Sequence, residues 1–460
     1  MRKGGKMRFY IIFMYILSFL YYKFGNDSIL IMLILYIFSV MPFIINRVKN
    51  DIFDIGLIFV VLYSLYITSI PIGMITGNMI ELEVFTLRYD INLAYKVLYI
   101  SGICPILTFI LFYYKKDVGY NRSLDESNKD ISIMELHRSK IFSYLLILSG
   151  ILLYFLGMKK LGGLNFLKSS YIWNTTQNTE KGLLNGGFQL FSVGTIISFY
   201  IHLKMLKSSN LKLNIFKWKP IYIILPIVIL NFFQGSRMPM LMFFFGITII
   251  YNNVYKKISR RNVIKIAIAT ILFAGFWGYF RSAKTLSITE NAKKLIFGGS
   301  MNYELQYNSY TAMAVSKIID TYDDVEYLKG LSILDGITYL LPRVIFENKN
   351  SYLFTSRWTN YYNSITLISP LGGLNLAAQN LMNGGLIFSL IFMFLFSLLL
   401  RKIYSYSLKM KDTNLLYALF ISQFMISLVR DPMFMAIKYL IQFCIIPYVI
   451  YRLLTRKIEN

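Results

Sequence analysis

Five arginines stand where an apolar chain seldom keeps a charge. Arg237 sits in QGSRMP between two apolar runs, Arg281 closes a run in YFRSAK, and Arg430 closes another in LVRDP. Arg343 follows a proline in YLLPRVIF, and Arg357 lies in FTSRWTNYY. A charge at the edge of hydrocarbon is costly, so it faces a cavity, a partner or the headgroup layer. The planar guanidinium fork also matches two phosphate oxygens at once. Several forks converging from different span ends would hold a diphosphate. Each alone is equally an anchor snorkelling to headgroups, and Arg343 or Arg357 equally a member of a local salt bridge.

Three carboxylates could move a proton beside such a site. Glu304 lies among aromatics in NYELQYNSY, Asp335 in the apolar ILDGITYLL, and Asp431 directly after Arg430. Burial would raise a carboxyl pKa toward the range of a general base. Asp431, in Asp-Pro ahead of an apolar run, also reads as a helix N-cap. The acidic DTYDDVEYLKG reads as a solvated loop. The aromatics of NSYLFTSRWTNYYNS would stack on sugars or form a headgroup-level belt. SPLGGLNLAAQNLMNGG is rich in small residues, which permits close helix packing or a backbone brought near an anion at a helix N-terminus.

Other chemistries lack their residues. No Walker-type phosphate loop and no metal-spaced His/Cys/Glu cluster occurs, so neither nucleotide, cofactor nor metal is expected. The two histidines, His137 and His202, fall on the inner side of the expected topology, leaving none for outer-face catalysis. Cys104 and Cys444 lie inside apolar runs without a disulfide framework.

The elements carrying these residues belong to a membrane. Of 460 residues, 56% are hydrophobic and 15% charged, where a soluble domain carries about a quarter. Apolar runs near 9–22, 28–45, 55–75, 93–114, 141–157, 187–203, 220–233, 238–255, 263–280, 374–400, 414–429 and 433–451 predict about twelve transmembrane helices. The net charge of +25 comes from short basic clusters between runs, the pattern of the positive-inside bias and not of a nucleic-acid-binding face. Those clusters, such as YKKISRRN, fall on one side if both termini are cytoplasmic. The expected fold is an all-α multispanning membrane protein, a single membrane domain over 1–460. Its cytoplasmic loop would span 115–140, with outer loops at 76–92, 158–186 and 281–373. The last, about 90 residues of short helices lying against the membrane surface, is long enough to be functional.

In this order and spacing, QGSR, YFRSAK, YLKGLSILDGITYLLPRVIFENKN, SPLGGLNLAAQNLMNGG and LVRDP resemble the second half of the Wzy-type polymerases of bacterial surface polysaccharides. The resemblance implies a C-type glycosyltransferase architecture in the bacterial plasma membrane. It implies en bloc transfer of oligosaccharides between undecaprenyl-diphosphate carriers, as in O-antigen or capsule synthesis. Arg237, Arg281 and Arg430 would hold the diphosphate, Arg343 and Arg357 would position it or the sugars, and Glu304 or Asp335 would deprotonate the acceptor hydroxyl. A chain-length regulator is an implied partner. The alternatives are a lipid-linked oligosaccharide flippase or another transporter, and a ligase-like glycosyltransferase. The related ligases use an outer-loop histidine, which this chain lacks.

Overall fold

The computed structural model describes residues 3–77, 90–114, 133–163, 180–233, 237–263, 265, 300–341, 349–362, 374–409 and 413–455. Among them the protein is all-helical, 87% helix without a strand. We number the principal helices α1 (Lys3–Phe24), α2 (Ile29–Asn50), α3 (Ile55–Thr76), α4 (Ile91–Tyr113), α5 (Ile133–Lys160), α6 (Glu180–Ser208), α7 (Ile221–Phe233) and α8 (Arg237–Ile250). They continue as α9 (Ser300–Thr321), α10 (Leu331–Leu340), α11 (Phe354–Tyr361), α12 (Leu376–Lys409), α13 (Asn414–Arg430) and α14 (Met433–Leu454).

Among the described residues eight helices, α1 to α6, α12 and α14, are long and apolar enough to cross a bilayer, as expected of a multi-pass membrane protein. The runs expected at 220–233, 238–255 and 414–429 are helices too, but only 10–17 residues long. The run 263–280 lies almost entirely outside the described residues. The expected loop at 158–186 is narrowed, because α5 continues to Lys160 and α6 starts at Glu180. Wider π turns interrupt α4 at Leu98–Ile103, α13 at Phe420–Met425 and α14 at Leu440–Ile445. Such turns leave the regular hydrogen-bond ladder locally and recur at functional positions.

The described residues gather into two compact units, the first within Met1–Tyr120, Ser300–Tyr406 and Met425–Lys438. In this unit the α2–α3 corner closes around a buried ion pair. Arg47 Nη1 donates to Asp54 Oδ2 at 3.2 Å, with the side chains 3% and 0% exposed. Asp54 also caps α3, accepting from Gly56 N and Leu57 N, and receives the Tyr113 hydroxyl at 2.7 Å. Burial pushes the Asp54 carboxyl up to about 6, against the pull of Arg47 and Tyr113. α9 lies along α3, where Ser309 and Ser69 share a hydrogen bond of 2.7 Å.

The second unit falls within Asn121–Gly299, Ser407–Phe424 and Tyr439–Asn460, and it is built on the pair α5 and α6. A Cβ added at Gly150 would stand 2.4 Å from Phe191 N, and one at Gly187 would stand 2.4 Å from Tyr154 N. Backbone meets backbone there, the contact that small residues allow between membrane helices. On another face of α6, Gln189, Ser192 and Thr195 recur every three residues and are buried.

Candidate functional site

The polar core of the first unit is assembled from amides at the start of α12. Asn375 opens the helix, with its Oδ1 accepting from Ala378 N at 2.8 Å. One turn on, Gln379 Oε1 accepts from Met433 N at 2.8 Å, and its Nε2 donates to Leu374 O and Asp431 O. Another turn on, Asn383 Nδ2 donates to Ser332 Oγ at 2.7 Å, and its Oδ1 accepts from Gly330 N at 3.0 Å. The spacing of four puts all three amides on one face of α12. They tie it to α10 and to the start of α14. The backbone adds Leu328 N to Met382 O and Lys329 N to Asn383 O.

Asn380 differs from these. It is 1% exposed, yet among the described residues neither Nδ2 nor Oδ1 meets a hydrogen-bonding atom. An unpaired buried amide costs on the order of 1–3 kcal/mol, so it is a place where a ligand or water could complete the structure, as is Asn231 of α7, which is in the same state. Just beyond it α12 breaks, with Gly384 extended and Gly385 at φ 60°, a left-handed conformation that favours glycine. The break separates the amide-bearing turns from the apolar remainder of α12.

Arg430 ends α13 beside this cluster. Its Nε lies 3.9 Å from Asp431 Oδ1, and Asp431 Oδ2 accepts from Ser427 Oγ at 2.9 Å. The start of α14 receives its cap from Gln379, and the Asp431 carbonyl accepts from that same glutamine. The amide row thus reaches, through Gln379, the backbone of Asp431, whose side chain is the ion partner of Arg430. By their chemistry a guanidinium suits an anion and an amide with free ends, as at Asn380, suits a hydroxyl.

Asp335 is fully buried, and it spends both oxygens on α11. Oδ1 accepts from Phe354 N at 2.7 Å, while Oδ2 accepts from Thr355 N at 2.8 Å and Thr355 Oγ1 at 2.5 Å. Burial raises its pKa, and the bonds from Thr355 and Phe354 oppose that shift. A carboxylate capping a helix twenty residues further on is a positioning group. Arg357, on α11, is exposed, and its Nε donates to Ser351 O at 3.2 Å. Trp358 Nε1 donates to Glu326 O and the Tyr362 hydroxyl accepts from Glu326 N, while the Trp358 and Tyr362 rings meet at a tilt 4.7 Å apart, fixing α11 against 322–328.

The remaining expected residues are less informative. Glu304 lies on α9 and Arg237 opens α8, but their side chains, like Arg281 and Arg343 altogether, lie outside the described residues. Of the three arginines expected to hold a diphosphate, Arg430 falls in the first unit, and Arg237 and Arg281 in the residue range of the second. Sequence reasoning passed over Asn380. The signal available was four amides, Asn375, Gln379, Asn380 and Asn383, within nine residues of an apolar stretch. No protein-family model, curated protein or solved structure matches the chain.

Proposed function

We propose that the protein is a membrane glycosyltransferase of the Wzy type, polymerising undecaprenyl-diphosphate-linked oligosaccharide units on the outer face of the bacterial plasma membrane. The observation that carries this reading is the buried Asn380, without a partner among the described residues, in a row of amides of which Gln379 bonds to the backbone of Asp431, next to Arg430. Amides suit sugar hydroxyls and the guanidinium suits a phosphate, the two halves of a lipid-linked sugar. In the proposed reaction the acceptor hydroxyl oxygen attacks the anomeric carbon of the donor. The carbon–oxygen bond to the diphosphate breaks, and undecaprenyl diphosphate leaves with its negative charge. Glu304 takes the hydroxyl proton, and Arg430 stabilises the leaving group. Arg343 and Arg357 position donor or acceptor sugars, and Asp335 holds α11 in place for them.

One observation favours a second reading. The break at Gly384–Gly385 is the kind of discontinuous helix found at transporter binding sites, which suits a flippase for the same lipid-linked unit. Deleting the protein from its native cell separates the two. A polymerase mutant displays single repeat units on the surface and loses the long-chain ladder, and Arg430→Ala does not restore it. A surface lacking even single units, with lipid-linked units held inside, sinks the polymerase in favour of the flippase.

A further inference from the structure

Helix α10 is built inside out. Its buried side carries Ser332, Asp335 and Gly336, 1% and 0% exposed for the first two. Its exposed residues are apolar: Leu331, Ile333, Leu334, Ile337 and the following Leu341 are 38%, 40%, 46%, 61% and 38% exposed, with the half-buried Thr338 among them. A helix between a protein core and water shows the opposite polarity. Helix α11, tied to α10 through Asp335, does so: Thr355 and Trp358 point inward while Arg357 and Asn360 point out.

The depth of α10 is marked by its neighbours. Gly336 stands so close to Ile437 that an added Cβ would lie 2.6 Å from the isoleucine Cβ. The Tyr339 ring packs 4.7 Å from that of Phe434, and Lys438 Nζ lies 5.3 Å from its centroid. Phe434, Ile437 and Lys438 belong to the first turns of α14, a candidate span. At the other end, a Cβ added at Gly330 would lie 3.5 Å from the Phe388 ring, in the first turn of α12 after its break. One end of α10 thus meets α14 where that span begins, and the other meets α12 just past its break. A tyrosine paired with a lysine is the pattern of the headgroup level. Ten residues make about 15 Å of helix, half of a bilayer core and too short to cross it.

We propose that α10 is an interfacial helix whose apolar stripe is immersed in the acyl chains of one leaflet, so that its partner is the lipid itself. Asp335 faces the protein because the outer side of the helix is in hydrocarbon. By gripping α11, it suspends a water-facing helix from a lipid-facing one. The inference is independent of the proposed reaction.

The test places a spin label at Ile337→Cys, with Leu334→Cys as a second position, in full-length protein whose Cys104 and Cys444 are replaced by Ser and Ala. Tyr361→Cys on α11 serves as the water-facing reference, since Tyr361 is 78% exposed. In phosphatidylcholine–phosphatidylglycerol vesicles, labels at 337 and 334 should collide with oxygen several-fold more than with a water-soluble nickel chelate, and the label at 361 the reverse. A nickel response at 337 and 334 equal to that at 361 overturns the proposal by putting the stripe in water. Poor access of both reagents overturns it too, because the stripe would then be covered by a second copy or another protein.

Discussion

The two units hold helices together by different chemistry. In the second, α5 and α6 meet through glycines and bring backbones into contact, with no polar group required. In the first, α12 is tied to its neighbours by the ends of amide side chains, each reaching a specific backbone atom or hydroxyl. Dispersion between close backbones is indifferent to what else is nearby, whereas hydrogen bonds in a dry interior fix register and orientation. The first arrangement suits a scaffold, and the second suits a place where groups must be aimed.

The contrast can be broken most severely on the glycine side. Gly187→Leu would drive a side chain into the backbone of Tyr154 and should cost about 3 kcal/mol or more, read as a collapse of thermal unfolding temperature in detergent. Asp335→Ala comes next. It strands the Phe354 and Thr355 amides, so a loss of about 2 kcal/mol with faster hydrogen exchange confined to α11 is expected. Gln379→Leu removes the acceptor of Met433 N and should cost about 1 kcal/mol in the same unfolding measurement. The smallest stability effect belongs to Asn380→Leu, which deletes an amide without partners and should leave the melting temperature unchanged or raised. That same substitution should abolish the surface-polysaccharide ladder. A strongly destabilised Asn380→Leu protein would mean that the asparagine is structural and that the amide face is one more scaffold.

The parts legible in the sequence are those that depend on local composition. Apolar runs mark helices because hydropathy acts along the chain, and the eight long ones coincide with expected spans. The shorter α7 and α13 were equally apolar in sequence. Only the structure gives their lengths, with Pro226 inside α7 and a π turn inside α13. For α10, the recurrence of Ile333, Leu334 and Ile337 away from Ser332 and Asp335 reveals a stripe but not the medium it faces. Periodicity carries no sign, so in a membrane the apolar side can be the outside. Asp335 read as a candidate base because the sequence cannot reveal that three donors from Phe354 and Thr355 will occupy it. Asn380 stayed hidden for a related reason. Whether an amide is satisfied depends on which elements come to surround it, and its neighbours Gln379 and Asn383 found partners up to about fifty residues away.

The buried contact of Arg47 with Asp54 bears on the order of biogenesis. The guanidinium is on α2 and its carboxylate arrives only with the first residue before α3, seven positions later in synthesis. Until then the end of α2 carries an uncompensated charge that its final, dry position does not tolerate. The two helices are therefore expected to leave the insertion machinery together, as a hairpin. Arrested nascent chains ending shortly after Arg47 should remain crosslinkable to the translocon, while chains extending past α3 should not. With Asp54→Asn, release should be delayed even when both helices are complete.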